Sequence, residues 1–401
     1  MSLSHTTLSD SSTALVGASG VHVLHSHHYH ASLLRALHEA QGVDPACLLR
    51  DAVEACGTGI VAPPPVAAEG GGWGWIAERF RRSGLGRLDI AGLGAEGTGT
   101  VVLHASHFAT AWRARYAVPR VPVCAVPAAL LGRLLSDAAG ADRSATEVRC
   151  AARGDSACAF EVIASGVPAP SPAVSTLPVS ASEPAGEPAE SEATLLDTAL
   201  VADREGVIRT PGGLFAGLPA EFYAAVSRIF ELEVPRVRGA KFGSLPGILL
   251  MEAAHWNGFQ LFGDLLASRE WREGVGPGLA TEIERVRALL SVPERLGWGS
   301  WEIRSFVAGE RIIVRVHESY EALGHERLFG RAREPRCVVA RGAAAAVMNV
   351  LYRAGDGLDG ELSTSRYNAL FRSPHTFRAV ETRCRAQGDS FCELVANPLS
   401  V

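Results

Sequence analysis

The chain has 401 residues with the apolar content of a globular protein, enough for two domains of ordinary size. Its 38 Lys and Arg against 43 Asp and Glu give a net charge of −5, and Lys241 is the only lysine, so there is no basic stripe for nucleic acid. No stretch approaches the ~18 apolar residues of a membrane span, and the opening MSLSHTTLSDSSTALVG lacks the basic start and apolar core of a signal peptide.

A cytoplasmic protein that engages neither membrane nor nucleic acid is therefore expected. The Arg-rich, Ala/Gly-rich balance points to a high-GC bacterial genome.

In chain order, the first unusual feature is His25-Ser26-His27-His28-Tyr29-His30, with His22 just before it. On a helix, His25 and His28 share a face, as do His27 and His30. Three readings stay open. The imidazoles are solvated at a helix start; or His27, His28 and His30 form a pocket or act as general bases near pH 7; or a pair, with His104 or His107, holds a second metal.

Leu48 to Ala52 leads to Gly57 with apolar residues at helical spacing, and Leu249 to Ala253 leads to Gly258 in the same way. Both read as helices ending at the glycine. Val101–Ser106 and Val314–Ser319 read as strands rich in branched residues. Twenty residues after the histidine of each strand, His104 and His317, comes a cysteine, Cys124 and Cys337, that opens a helical run. Gly70-Gly71-Gly72 and the segment from Gly94 to Gly97 lack a lysine and a strand–loop–helix setting, so they read as loops.

The next feature is C-A-A-R-G-D-S-A-C at 150–158, repeated as C-R-A-Q-G-D-S-F-C at 384–392, with Glu147 and Glu381 three residues ahead of each copy. Repetition at this long period argues for two domains. They are expected at 14–164 and 195–399, the second with an insertion near 358–378. Residues 165–194 are Pro/Ala/Ser/Glu without an aromatic residue and read as a disordered linker.

Each half offers three thiols and a carboxylate: Cys124, Glu147, Cys150 and Cys158, then Cys337, Glu381, Cys384 and Cys392. Thiolates select soft or borderline ions and favour zinc. Four protein ligands leave no open position, so one structural zinc per domain is expected. The alternative is buried free thiols. The insertion lengthens the path from Cys337 to Glu381 and leaves open whether Cys337 reaches its cluster.

These motifs resemble the 4-vinyl reductase domain family, whose signature is a Cys before a helix, Glu-x-x-Cys, a Gly-Asp turn and a final Cys followed by a strand. The resemblance covers most of both halves. It implies an α/β (α+β) fold, an antiparallel sheet packed by helices, similar to subunits of vesicle-tethering complexes. It also implies zinc, a small-molecule ligand held between helices and sheet, and dimerisation, here as an intramolecular pair or a homodimer. No ATPase domain follows, so a direct transcription activator is not expected.

A ligand pocket is mostly apolar with a few placed polar groups. The candidates are His104, His107, Trp73, Trp75 and Trp112 in the first half. In the second they are His317, His255, Trp256, Phe259, Trp298, Trp301 and Tyr320. His104 and His317 hold equivalent strand positions; the plain alternative is core packing. The functional readings are a soluble binding protein, an enzyme of specialised or pigment metabolism using the histidine segment, and a scaffold presenting Tyr367 or Phe371.

Overall fold

The computed structural model describes residues 15–17, 20–57, 72–165, 200–353 and 362–399. The expected linker lies outside the described residues apart from its first position. In the first repeat the order is β1 (Leu15–Gly17), β2 (Gly20–Ser26), α1 (His27–Glu39), α2 (Pro45–Ala55), α3 (Gly74–Arg82), β3 (Arg87–Asp89), β4 (Gly99–His104), α4 (His107–Arg113), α5 (Ala125–Ala139), β5 (Arg143–Arg149) and β6 (Cys158–Ala164).

The second repeat follows the same order. It holds β7 (Ile208–Thr210), β8 (Gly213–Pro219), α6 (Ala220–Arg238), α7 (Leu245–Ala267), α8 (Glu282–Arg295), β9 (Ser300–Val307), β10 (Arg311–His317), α9 (Tyr320–Phe329), α10 (Val338–Tyr352), α11 (Thr364–Phe371), β11 (Phe377–Arg383) and β12 (Cys392–Pro398). Helix α11, in the insertion, is the addition.

Local chemistry sets the helix starts. Ser26 caps α1 by accepting from the Tyr29 amide, and Asp44 caps α2 ahead of Pro45. Because α1 begins at His27, His25 stays on strand β2. The helical pairing of His25 with His28 therefore does not arise.

Helix α2 ends just before Gly57, as its pattern predicts, but α7 runs through Gly258 to Ala267. The reason is packing. A Cβ on Gly258 would sit 2.5 Å from the Ala346 Cβ, and one on Gly342 would sit 2.6 Å from the Ala254 carbonyl carbon. The two glycines let α7 and α10 touch backbone to backbone instead of ending a helix.

Each repeat has an antiparallel sheet packed by helices, in orders β3-β4-β6-β5 and β11-β12-β10-β9. A third sheet, β1-β2-β8-β7, takes two strands from each repeat, with Leu24 opposite Gly217. The exchange is reciprocal. The Leu24 amide donates to the Leu296 carbonyl at 2.9 Å, and the Gly217 amide to the Ser83 carbonyl at 2.8 Å. Helix α1 packs chiefly on α7, and α2 lies against both α5 and α6. One contiguous apolar core runs through both repeats.

Candidate metal clasps and the seam between the repeats

Both Cys₃Glu sets converge. In each, one ligand atom from every residue lies within 4.8 Å of the others. The local structure explains why. Strand β5 delivers Glu147 and stops before Cys150; a 3₁₀ turn and Gly154, at φ 106°, reverse the chain; β6 restarts at Cys158. Cys124, at the start of α5, closes the ring with its Sγ 3.4 Å from that of Cys158. The second clasp repeats this, with Cys337 and Cys392 at 3.3 Å. The insertion does not displace Cys337, since α11 packs over α7 through Tyr367 on Trp256.

Further side chains hold the ligands. Glu147 Oε2 accepts from the Cys124 amide at 2.7 Å, and Glu381 Oε2 from the Cys337 amide at 2.9 Å. The other oxygen of each carboxylate is buried with no partner. Asp155 and Asp389, the aspartates of the Gly-Asp turns, accept from the Cys150 and Cys384 amides at 2.8 and 2.9 Å.

The hydroxyls of Ser106 and Ser319 lie 3.2 Å from the sulfurs of Cys124 and Cys337. Each serine follows a non-glycine residue at positive φ, Ala105 at 50° and Glu318 at 53°. Such backbone strain persists where the surroundings demand it. Its recurrence in both repeats marks the serine position as part of the clasp. The shared serine two residues after each strand histidine was the available sequence signal.

Burial drives the Glu147 and Glu381 carboxyls up to about 8 and the Cys124 and Cys337 thiols well up. Cys150 and Cys384 move down, because neighbouring thiols donate to them. Four such groups cannot all be anionic in a buried space on their own, and a divalent cation reverses that balance. The donor set, and the unpaired carboxylate oxygens beside it, fit a thiophilic ion.

The histidine segment divides. His27 and His28 turn one way: His27 Nδ1 accepts from the Leu214 amide at 3.2 Å, and His28 Nε2 pairs with Asp264 at 2.9 Å. His30 turns inward, with Nδ1 2.9 Å from His107 Nε2 and Nε2 2.9 Å from the Tyr223 hydroxyl. The three histidines expected to act together do not converge. Nor are the imidazoles of the segment all solvated, because His25 and His30 are buried at 0% and 1% exposure. Among the described residues, only the two Cys₃Glu sets gather three or more such ligands.

His25 sits in an aromatic box at the seam. Its ring stacks on Trp298 at 4.8 Å and touches Tyr29 and Tyr223 at 4.5 Å each. Tyr320 meets it edge-on at 5.3 Å. Neither nitrogen of His25 has a partner, and neither does the Tyr320 hydroxyl. Burial holds His25, His30 and His107 neutral, well below the usual histidine range.

The other pocket candidates are spread over separate surroundings. His104 and His317 are half-buried, on the sheet face opposite the buried Val101, Leu103, Val314 and Val316. Trp73 and Trp112 give their indole N–H groups to the Gly94 and Ala117 carbonyls, and Trp75 is half-buried. His255 stacks on Phe371, and Trp256 lies between Phe259 and Tyr367. Tyr367 and Phe371 are themselves buried, so they offer no face to a partner.

The arrangement defines a class: a duplicated α/β chain whose repeats exchange N-terminal hairpins, each carrying a Cys₃Glu clasp. No family model matches the chain, and no curated protein does. A solved structure, the phenol-responsive sensory domain of the transcription activator PoxR with phenol, is similar over 45% of this chain and 75% of that one, at 16% identity and a TM-score of 0.32. No helix among the described residues is long and apolar enough to cross a membrane.

Proposed function

We propose that this is a zinc-carrying tandem protein of the 4-vinyl reductase-like type that binds a small hydrophobic or aromatic molecule. Both zincs are structural: Cys124, Glu147, Cys150 and Cys158 hold one, and Cys337, Glu381, Cys384 and Cys392 the other. When bound, each ion supplies cross-linking and charge neutralisation and takes no part in chemistry, because four protein ligands fill its positions.

The observation behind the binding reading is the seam. Buried polar atoms are nearly always paired, yet His25 and Tyr320 present unpaired atoms inside a box of aromatic rings. That combination is the chemistry of a ligand site. A broad screen of hydrophobic compounds against the whole chain, read by thermal shift, tests it. Stabilisation by some member is expected; a flat result across the library would remove the reading.

A second reading has one observation in its favour. His107, His30 and Tyr223 form a hydrogen-bonded chain, which is the equipment of an acid–base centre. In it, His30 alone of the three expected histidines would carry catalysis. Chemical conversion of a bound compound by the wild type and its loss in His30→Phe, with binding retained, would establish the enzyme.

A further inference from the structure

We propose that the cleft where α6 and α9 meet the start of α10 is a site, one per chain, for the carboxylate head of a small molecule, held by Arg336 and Arg228. The inference goes beyond the aromatic reading above and stands on separate observations.

The cleft measures ≈ 30 Å³. A water-sized group needs about 10–15 Å³, so the space suits the two oxygens of a carboxylate, with the rest of the molecule outside. Arg228 and Arg336 both line it. The Arg228 side chain is 35% exposed, and that of Arg336 lies deeper, at 14%.

The donors are in excess. Glu231 accepts from Arg336 Nη1 with both oxygens, at 2.8 and 2.6 Å, and from Arg228 Nη1 at 3.4 Å. This occupies one end of the Arg336 guanidinium and leaves its Nε buried with no partner. On an arginine, Nε–H and one Nη2–H point the same way and can meet two carboxylate oxygens together. Ser227 and His325 add a hydroxyl and an imidazole to the wall. Burial, then Arg336 and Arg228, lowers His325 to about 4, so its ring is neutral and brings no charge.

The charge does not balance. Glu321, the other carboxylate of the lining, has both oxygens taken by the Val339 and Ala340 amides, so the N-terminus of α10 meets its charge. Two guanidinium groups then face Glu231 alone. A partly buried cation without a counter-charge is costly, and one further negative charge completes the cleft. A cationic ligand would meet repulsion from both arginines.

The number follows from the difference between repeats. The reciprocal backbone bonds make Leu24 equivalent to Gly217, and Ser83 to Leu296. In the same registers Tyr223 corresponds to His30, Ser227 to Leu34, Glu231 to His38, Glu321 to Phe108, His325 to Trp112 and Arg336 to Val123. Leu34, Phe108, Trp112 and Val123 are all buried. His38 meets Trp112 edge-on at 5.7 Å, and Arg35, the counterpart of Arg228, pairs with Glu39. The mirror place is apolar and filled. The polar cleft belongs to the second repeat alone.

The test is calorimetry on the full-length, metal-loaded chain with butyrate, in low-chloride buffer. Butyramide serves as the uncharged probe of the same shape, butylammonium as the cation and inorganic phosphate as the competing oxyanion. One butyrate per chain is expected, with the other three at least tenfold weaker. Arg336→Gln and Arg228→Gln should each weaken butyrate about tenfold or more, with metal content unchanged. Glu231→Gln keeps an acceptor for Arg336 and removes the competing charge, so it should tighten butyrate a few-fold. Its opposite sign separates a charge effect from general damage, and Arg228→Gln still decides if Arg336→Gln fails to fold.

Two butyrates per chain, no butyrate binding at millimolar concentration, or equal affinity for butyramide would overturn the site. So would phosphate binding as tightly as butyrate, or unchanged affinity in Arg228→Gln. None of these results bears on the aromatic reading, which the hydrophobic screen decides.

Discussion

His30 and Tyr223 occupy the same position in the two repeats, and they hydrogen-bond to each other, Nε2 to hydroxyl, at 2.9 Å. Equivalent residues meet only on a two-fold axis. Their contact therefore places a pseudo-two-fold between the repeats, at the start of α1 and α6. The exchanged hairpins are its backbone counterpart. Divergence at that axis, histidine on one side and tyrosine on the other, is what two identical chains could not achieve and one duplicated chain can.

The clasps should hold two zinc ions per chain in metal-loaded protein. Replacing Cys384 with Ser should leave about one, held by the first clasp. Elemental analysis of both proteins checks this. Structural zinc contributes on the order of 10 kcal/mol in small domains. Removal by a strong chelator should therefore lower the melting temperature by tens of degrees or unfold the chain.

Ser106 and Ser319 should matter to metal retention. Their hydroxyls are placed to donate to the Cys124 and Cys337 sulfurs. Outer groups of this kind are commonly worth about 10- to 100-fold in affinity. Ser106→Ala should speed release from the first clasp to a chromogenic chelator and leave the second unchanged; Ser319→Ala should do the reverse. Equal release from both clasps in either variant would contradict the assignment.

Stability should fall with acid below neutrality. Burial holds His25, His30 and His107 well below the usual range, and burial beside Arg378 and Arg341 puts His255 at about 3. Their folded pKa values lie below the unfolded 6.5, so the unfolded chain binds more protons in that window. The stability they confer is complete above pH 6.5 and is lost as pH falls from there. Each contributes a slope that approaches about 1.4 kcal/mol per pH unit about one unit below pH 6.5 and is about half that at pH 6.5.

Glu321, raised by burial to about 7, acts the other way: its contribution is lost as pH rises. The four histidines outweigh it. The urea midpoint of metal-loaded protein should therefore drop steeply between pH 6.5 and 5.5; a flat profile would mean the imidazoles are solvated.

The α7–α10 crossing should tolerate no side chain at Gly342. A Cβ there meets Ala254 backbone at 2.6 Å, and backbone cannot rotate away. Gly342→Ala should cost about 1–3 kcal/mol by overpacking, measured by chemical denaturation. An alanine that stabilised the helix with no such loss would show that the crossing is looser.

Much of this was readable beforehand. The Cys₃Glu clasp, the hairpin joining Cys150 to Cys158 and the helix start at Cys124 follow from short-range spacing, and the structure carries them out in both repeats. Whether Cys337 joins its clasp was open, because a 44-residue separation says nothing of where the insertion goes. Packing decided it, since α11 lies on α7 and leaves β11 in register beside β12.

Gly258 misled the reading for the opposite reason. A glycine that ends one helix locally can sit inside another when a neighbouring backbone needs the space.

By itself the sequence determined the repeated motif and the metal-ligand sets, because spacing acts between residues near in the chain; the α/β class was what the family resemblance of those motifs implied. Only the tertiary structure decided which histidines are buried, that His27 and His28 part from His30, and that the repeats exchange strands across a polar seam. Those outcomes depend on groups up to 274 residues apart, as with Leu24 and Trp298, being brought into contact. Burial and pairing of that kind are properties of the packed chain, and no local pattern encodes them.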